Sequence, residues 1–320
     1  MNRSSSETRD EISRKDAKTQ RAFLLGGFAA LRESFFAWVC VAAATLACNS
    51  GPQRAVSPAE VRAVRSTRLP ATPDDPAWAR VPVHPAQLLP QDVVEPRVLA
   101  PTTASLEAQA VTDGASIAFR LTWAAPARSD RTGPAVFSDA CAVQLPAANG
   151  LAAPGPAPNP MMGEAGRPVE ITYWRATWQA TVDGRPDTLA ALYPNAKVDH
   201  YPFESASLAP GSPEQLAMAK RYAPARALGN TMAGPRDRPV QDLAASGPGT
   251  LRPADRTVST GAGKATTTGW SVVIVRPLPN GLAAGGRSQV AFAVWQGSKG
   301  EAGARKMRSG WIPLAVEGRQ

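Results

Sequence analysis

The sequence predicts a mainly β protein, a single-domain antiparallel β-sandwich with long loops and few short helices. Two observations carry this. The 320 residues include 31 prolines and 26 glycines, a punctuation that breaks long helices and favours short elements joined by turns. Several segments also alternate apolar and polar residues with period two, the mark of a strand with one buried face.

The elements follow in order. Residues 1–47 read as a secretory signal of lipoprotein type: a basic stretch with Arg14, Lys15, Lys18, Arg21 and Arg32, then an apolar run from Phe35 to Ala47, then Cys48. About 13 apolar residues are too few to span a bilayer, which takes about 20. Residues 48–73, polar and rich in Pro and Ala, read as a flexible tether. The folded domain is expected over 74–320, opening at Asp74-Asp-Pro-Ala-Trp78.

Within it, Ser116–Trp123 alternates strictly, with Ile117, Phe119, Leu121 and Trp123 on one face. Val169–Ala180 carries large residues on both faces, as a central strand does. Gly269–Arg276 and Gln289–Trp295 are further strands, and Trp311–Val316 is expected at an edge, where Pro313 is tolerated. Residues 183–262 hold few strand signals and at most short helices such as 213–221. Long loops on a β scaffold are expected to carry function.

Composition excludes several chemistries. The net charge of +9 is spread along the chain, whereas nucleic-acid binding needs a clustered basic stripe. Beyond Cys40 and Cys48 only Cys141 remains, so the mature chain has no internal disulfide, no Cys-rich metal site and no covalent haem attachment motif. Two histidines, His84 and His200, are the whole supply. Zinc-protease, nucleophile-elbow, phosphate-loop and dinucleotide motifs are all missing. The adjacent acids Asp74 and Asp75 read as turn formers. The chain is therefore expected not to be an enzyme by itself.

A set of segments in order does resemble a known family. They are Asp75-Pro-Ala-Trp78, Val81-Pro-Val83, Ile117–Trp123, Phe137-Ser-Asp-Ala-Cys-Ala-Val-Gln-Leu-Pro146, Pro160-Met-Met-Gly163, Val169–Trp178, Gly269–Leu278, and Val290–Ser298 leading to Arg305-Lys306 and Trp311. Together they resemble the haem b-binding gamma subunit of ethylbenzene dehydrogenase and its relatives in dimethyl sulfide dehydrogenase, selenate reductase and chlorate reductase. The resemblance implies a β-sandwich holding one non-covalent haem b through a Met and a Lys. It places the Met at Met162, with the adjacent Met161 as alternative. It places the Lys at Lys264, in Gly263-Lys264, with Lys306 as second choice.

A thioether is a soft, neutral ligand that favours ferrous iron, and a lysine ligates only as the free amine. From an ordinary pKa near 10.4, that deprotonation costs roughly 4–5 kcal/mol at pH 7. His200 could ligate iron or support a propionate, and a structural loop histidine is its ordinary role. Arg175 and Arg276 are candidate propionate partners by charge.

The function implied is a non-catalytic b-type cytochrome or electron-transfer subunit, periplasmic or lipid-anchored to the membrane through Cys48. Its partners would be an iron–sulfur subunit beside a molybdenum-containing catalytic subunit, or a membrane-bound or c-type cytochrome. The competing reading is a haem-free lipoprotein of carbohydrate-binding type that stacks sugars on its Trp residues.

Overall fold

In the computed structural model the described residues are 59–318, apart from 93–94, 132, 148–156, 187, 197–208, 210, 223–224, 226–227 and 233–235. The expected signal and the site at Cys48 lie outside them, as does His200. No helix among the described residues is long and apolar enough to cross a membrane.

The strands are β1 (Val61–Arg65), β2 (His84–Gln87), β3 (Leu89–Pro90), β4 (Ser105–Thr112), β5 (Ser116–Ala124), β6 (Ala140–Pro146) and β7 (Val169–Arg175). After them come β8 (Val240–Ala245), β9 (Arg252–Pro253), β10 (Thr260–Ala265), β11 (Gly269–Pro277), β12 (Arg287–Trp295), β13 (Met307–Arg308) and β14 (Ile312–Val316). The helices are short: α1 (Ala176–Val182), α2 (Leu189–Leu192) and α3 (Pro213–Tyr222).

One layer runs β10-β11-β5-β4-β1-β14 and the other β6-β7-β8-β9, with β12 shared between them. Residues Arg287–Val290 of β12 pair with β14, and Ala291–Trp295 pair with β6. A single strand therefore turns the corner from one layer to the other, as strands do where two sheets join.

The layers face each other through aromatic side chains. Phe119 of β5 meets Phe292 of β12 edge-on at 6.1 Å, and Trp174 of β7 meets Trp123 at 6.3 Å and Trp270 at 5.2 Å. The alternation in β5 delivers Ile117, Phe119, Leu121 and Trp123 into this core, all of them buried. Burying each such side chain contributes about 1.5–3 kcal/mol. On the outer face of the first layer Trp78 plugs a second cluster with Val81, Val111, Ala118 and Val273. Asp75 starts the turn that carries Trp78, its carboxylate accepting from the Ala77 N–H at 3.0 Å. This is the turn-forming role expected of that residue.

Four expectations are corrected. The domain does not start at residue 74: Val61–Arg65, read as tether, is an interior strand, with Val61 and Ala63 buried between layers. Arg62 and Arg65 hide its period of two. That strand runs parallel to both β4 and β14, so the sheet is mixed rather than purely antiparallel. The β14 strand is not an edge, since β1 and β12 flank it. Pro313 fits because the β1 register begins one residue later, at Leu314. Finally, the strand expected over 169–180 ends at Arg175 and continues as α1, where Ala176 and Ala180 favour helix.

The stretch 183–262 also holds three strands, β8, β9 and β10. Asp242 disguises the first. Its carboxylate accepts from the Thr172 hydroxyl at 2.8 Å and from the Val258 and Ser259 N–H groups at 2.9 and 3.0 Å, tying β8 to β7 and to the segment that leads into β10. Glycines disguise the last. A Cβ on Gly263 would stand 2.1 Å from the Trp174 ring, so only glycine lets β10 close over it.

Candidate functional site

A large cavity lies not between the layers but on the outward face of the second one. Its floor is the outward row of β6, β7, β8 and β12: Ala142, Gln144, Ile171, Tyr173, Leu243, Ala291, Ala293 and Trp295. Three loops wall it, bringing Met161 and Met162 from one side, Pro248 to Leu251 from another, and Lys306 to Ser309 from a third. Met232 joins them. The volume is about 430 Å³, within the roughly 300–1,000 Å³ of small-molecule and cofactor sites.

The methionine loop is held from several directions. Gln144 donates to the Pro160 carbonyl at 2.9 Å, and the Asn159 side chain accepts from the Met161 N–H at 2.9 Å. The Trp311 indole donates to the Pro158 carbonyl. Met162 adopts φ +72° and Gly163 φ +78°. The Met162 carbonyl accepts from the Gly247 N–H at 2.8 Å, which fixes this left-handed turn. A Cβ on Gly163 would come within 3.0 and 3.1 Å of two backbone carbonyl oxygens, so glycine is required there. A left-handed methionine costs about 1–3 kcal/mol, and such strain gathers at ligand-holding positions.

Across the cavity Lys306 precedes β13, its carbonyl tied to the Gln91 N–H at 3.0 Å. Its ammonium lies 5.4 Å from the centroid of the Trp295 ring. Burial, with the neighbouring Arg308 charge adding to it, lowers the amine to about 8. Arg308 also lines the cavity, and its buried Nε has no hydrogen-bond partner. Among the described residues that line the cavity, Lys306 and Arg308 are the only charged ones, and none is an acid. Tyr173 is held neutral, its phenol pushed up to about 12 by burial.

Lys264, the first choice from sequence, is not brought to this cavity. It sits on β10, its ammonium exposed and paired with Asp74 at 2.6 Å. The glycine beside it serves Trp174 packing, which accounts for the Gly263-Lys264 signature structurally. Arg276 is also elsewhere, inside the pair it forms with Glu170. Cys141 is buried in the inter-layer core, its thiol pushed up by burial. The structure therefore unites Met161, Met162 and Lys306. Sequence reasoning missed Arg308 and Met232, whose only signals were proximity to Lys306 and a lone Met in a polar loop.

The site is thus an apolar cavity on one outer face of a β-sandwich, lined by a thioether loop on one side and by an amine and a guanidinium on the other. The sequence places it further: residues 75–307 match the ethylbenzene dehydrogenase family, and the chain belongs to that family. No curated protein matches the chain in sequence. Two solved structures of a carbohydrate-binding module of family 9 from Caldicellulosiruptor kristjanssonii are similar in fold. The complex with cellotriose is 9% identical, with TM-score 0.37 over 81% of this chain and 95% of that one. The complex with glucose is 8% identical, with TM-score 0.36 over 81% and 96%.

Proposed function

We propose that the chain is an electron-transfer subunit of the gamma type, a b-type cytochrome that holds one haem b through Met162 and Lys306. The observation that carries this is the meeting of Met162 and a pKa-lowered Lys306 in one apolar cavity that, among the described residues, no acid lines. The donor set fits the group: a neutral thioether, an amine close to its free form, and an orphaned guanidinium N–H for an anionic edge. With the amine near 8, freeing it at pH 7 costs about 1–2 kcal/mol rather than 4–5.

When bound, the haem supplies one-electron transfer. The chain's own part is to orient and to exclude water. The Asn159–Gly163 turn would present the thioether, Trp295 and Tyr173 form an apolar wall, and Lys306 would hold the group through its free amine. Arg308 would offset negative charge. Two protein ligands leave no position for a substrate, which favours a carrier over a catalyst. Exported placement, the lipid on Cys48, and the partners (an iron–sulfur subunit with a molybdenum-containing catalytic subunit, or a membrane-bound or c-type cytochrome) belong to the same proposal.

Sugar stacking is disfavoured by burial. A stacking platform needs exposed rings, yet the seven Trp residues of the described chain are buried or half-buried, none exposed. Purification from haem-replete cells tests the reading. A Soret band with sharp reduced α and β bands is expected, and a colourless protein that also refuses added hemin would end it.

A further inference from the structure

The outward row of β7 does not stop at the cavity. After Ile171 and Tyr173 the next side chain on that face is Arg175, whose guanidinium carbon lies 6.0 Å from the centroid of the Trp178 ring. Arg236 lies over the same indole at 3.7 Å. Trp178 in turn meets Tyr173 edge-on at 5.4 Å, and Tyr173 meets Trp295 at 5.2 Å. A row of three rings therefore joins the Lys306 ammonium, at Trp295, to the Arg236 guanidinium, at Trp178. The other side of this end is closed by Gln241, which faces Tyr173 across the β7–β8 ladder. Gln241 accepts from Arg236 at 3.2 Å and donates to Thr231, the neighbour of Met232 in the cavity wall.

Two guanidinium groups against one indole repel each other, and such pairs ordinarily carry a carboxylate between or beside them. Here none does. Among the described residues neither Arg175 nor Arg236 forms an ion pair, and the nearby Asp237 is taken by Arg238 at 3.3 Å. The Nε of Arg236 is buried with no hydrogen-bond partner. Burial first, then the Arg175 charge, lower the Arg236 pKa, and the nearby Asp237 charge opposes them only in part. Contact with the indole face compensates only part of that loss.

We infer that Arg175 and Arg236 form a carboxylate-binding site beside the cavity, past its Tyr173 wall, receiving the ligand's acid groups next to Trp178 and fixing which way round the ligand lies. This rests on the haem reading above, for which the acid groups are the two propionates. Arg308 is the competing cation, but it stands two residues from Lys306, at the amine end. Arg175 and Arg236 lie at the other end of the three-ring row, where two guanidinium groups stand together against one indole.

The test is titration of haem-free protein with hemin and with hemin dimethyl ester, followed by quenching of tryptophan fluorescence. The wild type is expected to prefer hemin by about tenfold or more, the worth of charge-assisted hydrogen bonds. The double variant Arg175→Gln/Arg236→Gln should bind both porphyrins as the wild type binds the ester. The charge-keeping Arg175→Lys/Arg236→Lys should retain part of the preference, and Arg308→Gln should lose less of it than the double Gln variant. Equal affinities in the wild type would overturn the inference and leave the haem reading standing. So would a preference that survives in the double variant and vanishes in Arg308→Gln. Failure of both porphyrins to bind the wild type would overturn the two together.

Discussion

The indole of Trp270 donates its N–H to the carboxylate of Asp139 at 2.9 Å, across 131 positions of sequence. The same carboxylate accepts from the Ser129 and Gly297 N–H groups, each at 2.8 Å, and is fully buried. It thus ties the start of β6 to β11 and to the turn after β12. Burial raises its pKa, and the three hydrogen bonds oppose that shift.

Asp139→Asn keeps the shape but brings an amide NH₂ toward the donors now shared by two oxygens. Charge-assisted hydrogen bonds contribute about 1.5–3 kcal/mol each, so urea unfolding should show a loss of about 2–4 kcal/mol. Trp270→Phe, which removes only the indole N–H and some packing, should cost less.

Lys306 and Lys264 should separate cleanly. The folded Lys306 pKa, about 8, lies below the ordinary 10.5, so between those values the unfolded chain binds more protons than the folded one. Stability from this residue therefore rises as pH goes from about 8 to 10.5. Lys306→Met should flatten that rise in pH-dependent denaturation curves. Lys264→Met, which removes an exposed ion pair, should cost no more than about 1 kcal/mol. It should also leave the low-spin haem spectrum unchanged, while Lys306→Met alters it.

At Met162 the ligand role and the backbone strain can be told apart. Met162→Ala and Met162→Gly should both change the low-spin spectrum by removing the thioether. Glycine relieves the φ of +72°, so Met162→Gly should exceed Met162→Ala in unfolding free energy by about 1 kcal/mol. Met161→Ala should leave the spectrum close to that of the wild type.

The interior place of β1 predicts that Ala63 tolerates no charge. Ala63→Asp buries an unpaired carboxylate between β4 and β14, and a loss of about 3 kcal/mol or more is expected. Thermal unfolding or the soluble yield would reveal it. A flexible tether at that position would show no effect.

Much of the scaffold was legible because β5, β7, β11 and β12 carry large side chains at period two. What stayed hidden had specific physical causes. The β1 strand is five residues long with arginines at two of them. The β10 strand is built of Gly, Ala and Thr, because its contribution is to leave room for Trp174. The family resemblance pointed to the Asn-Pro-Met-Met-Gly loop, and that turn does bring Met161 and Met162 to the cavity. The Lys half was not: Lys264 and Lys306 each sit near a glycine and before a strand, and only the pairing of β13 with β12 and β3 decides which one is buried. Arg236 gave no signal at all, because its significance is the Trp178 ring brought to it by the β7–α1 junction.

The position of the cavity on the outer face of a finished sheet sets an order of assembly. The inter-layer core closes on its own side chains and needs nothing from the site, so the polypeptide can complete folding first and receive its prosthetic group afterwards. Until loading, the open cleft would be the molecule's most adhesive surface, the place where a delivery factor or a stray hydrophobic segment would first take hold.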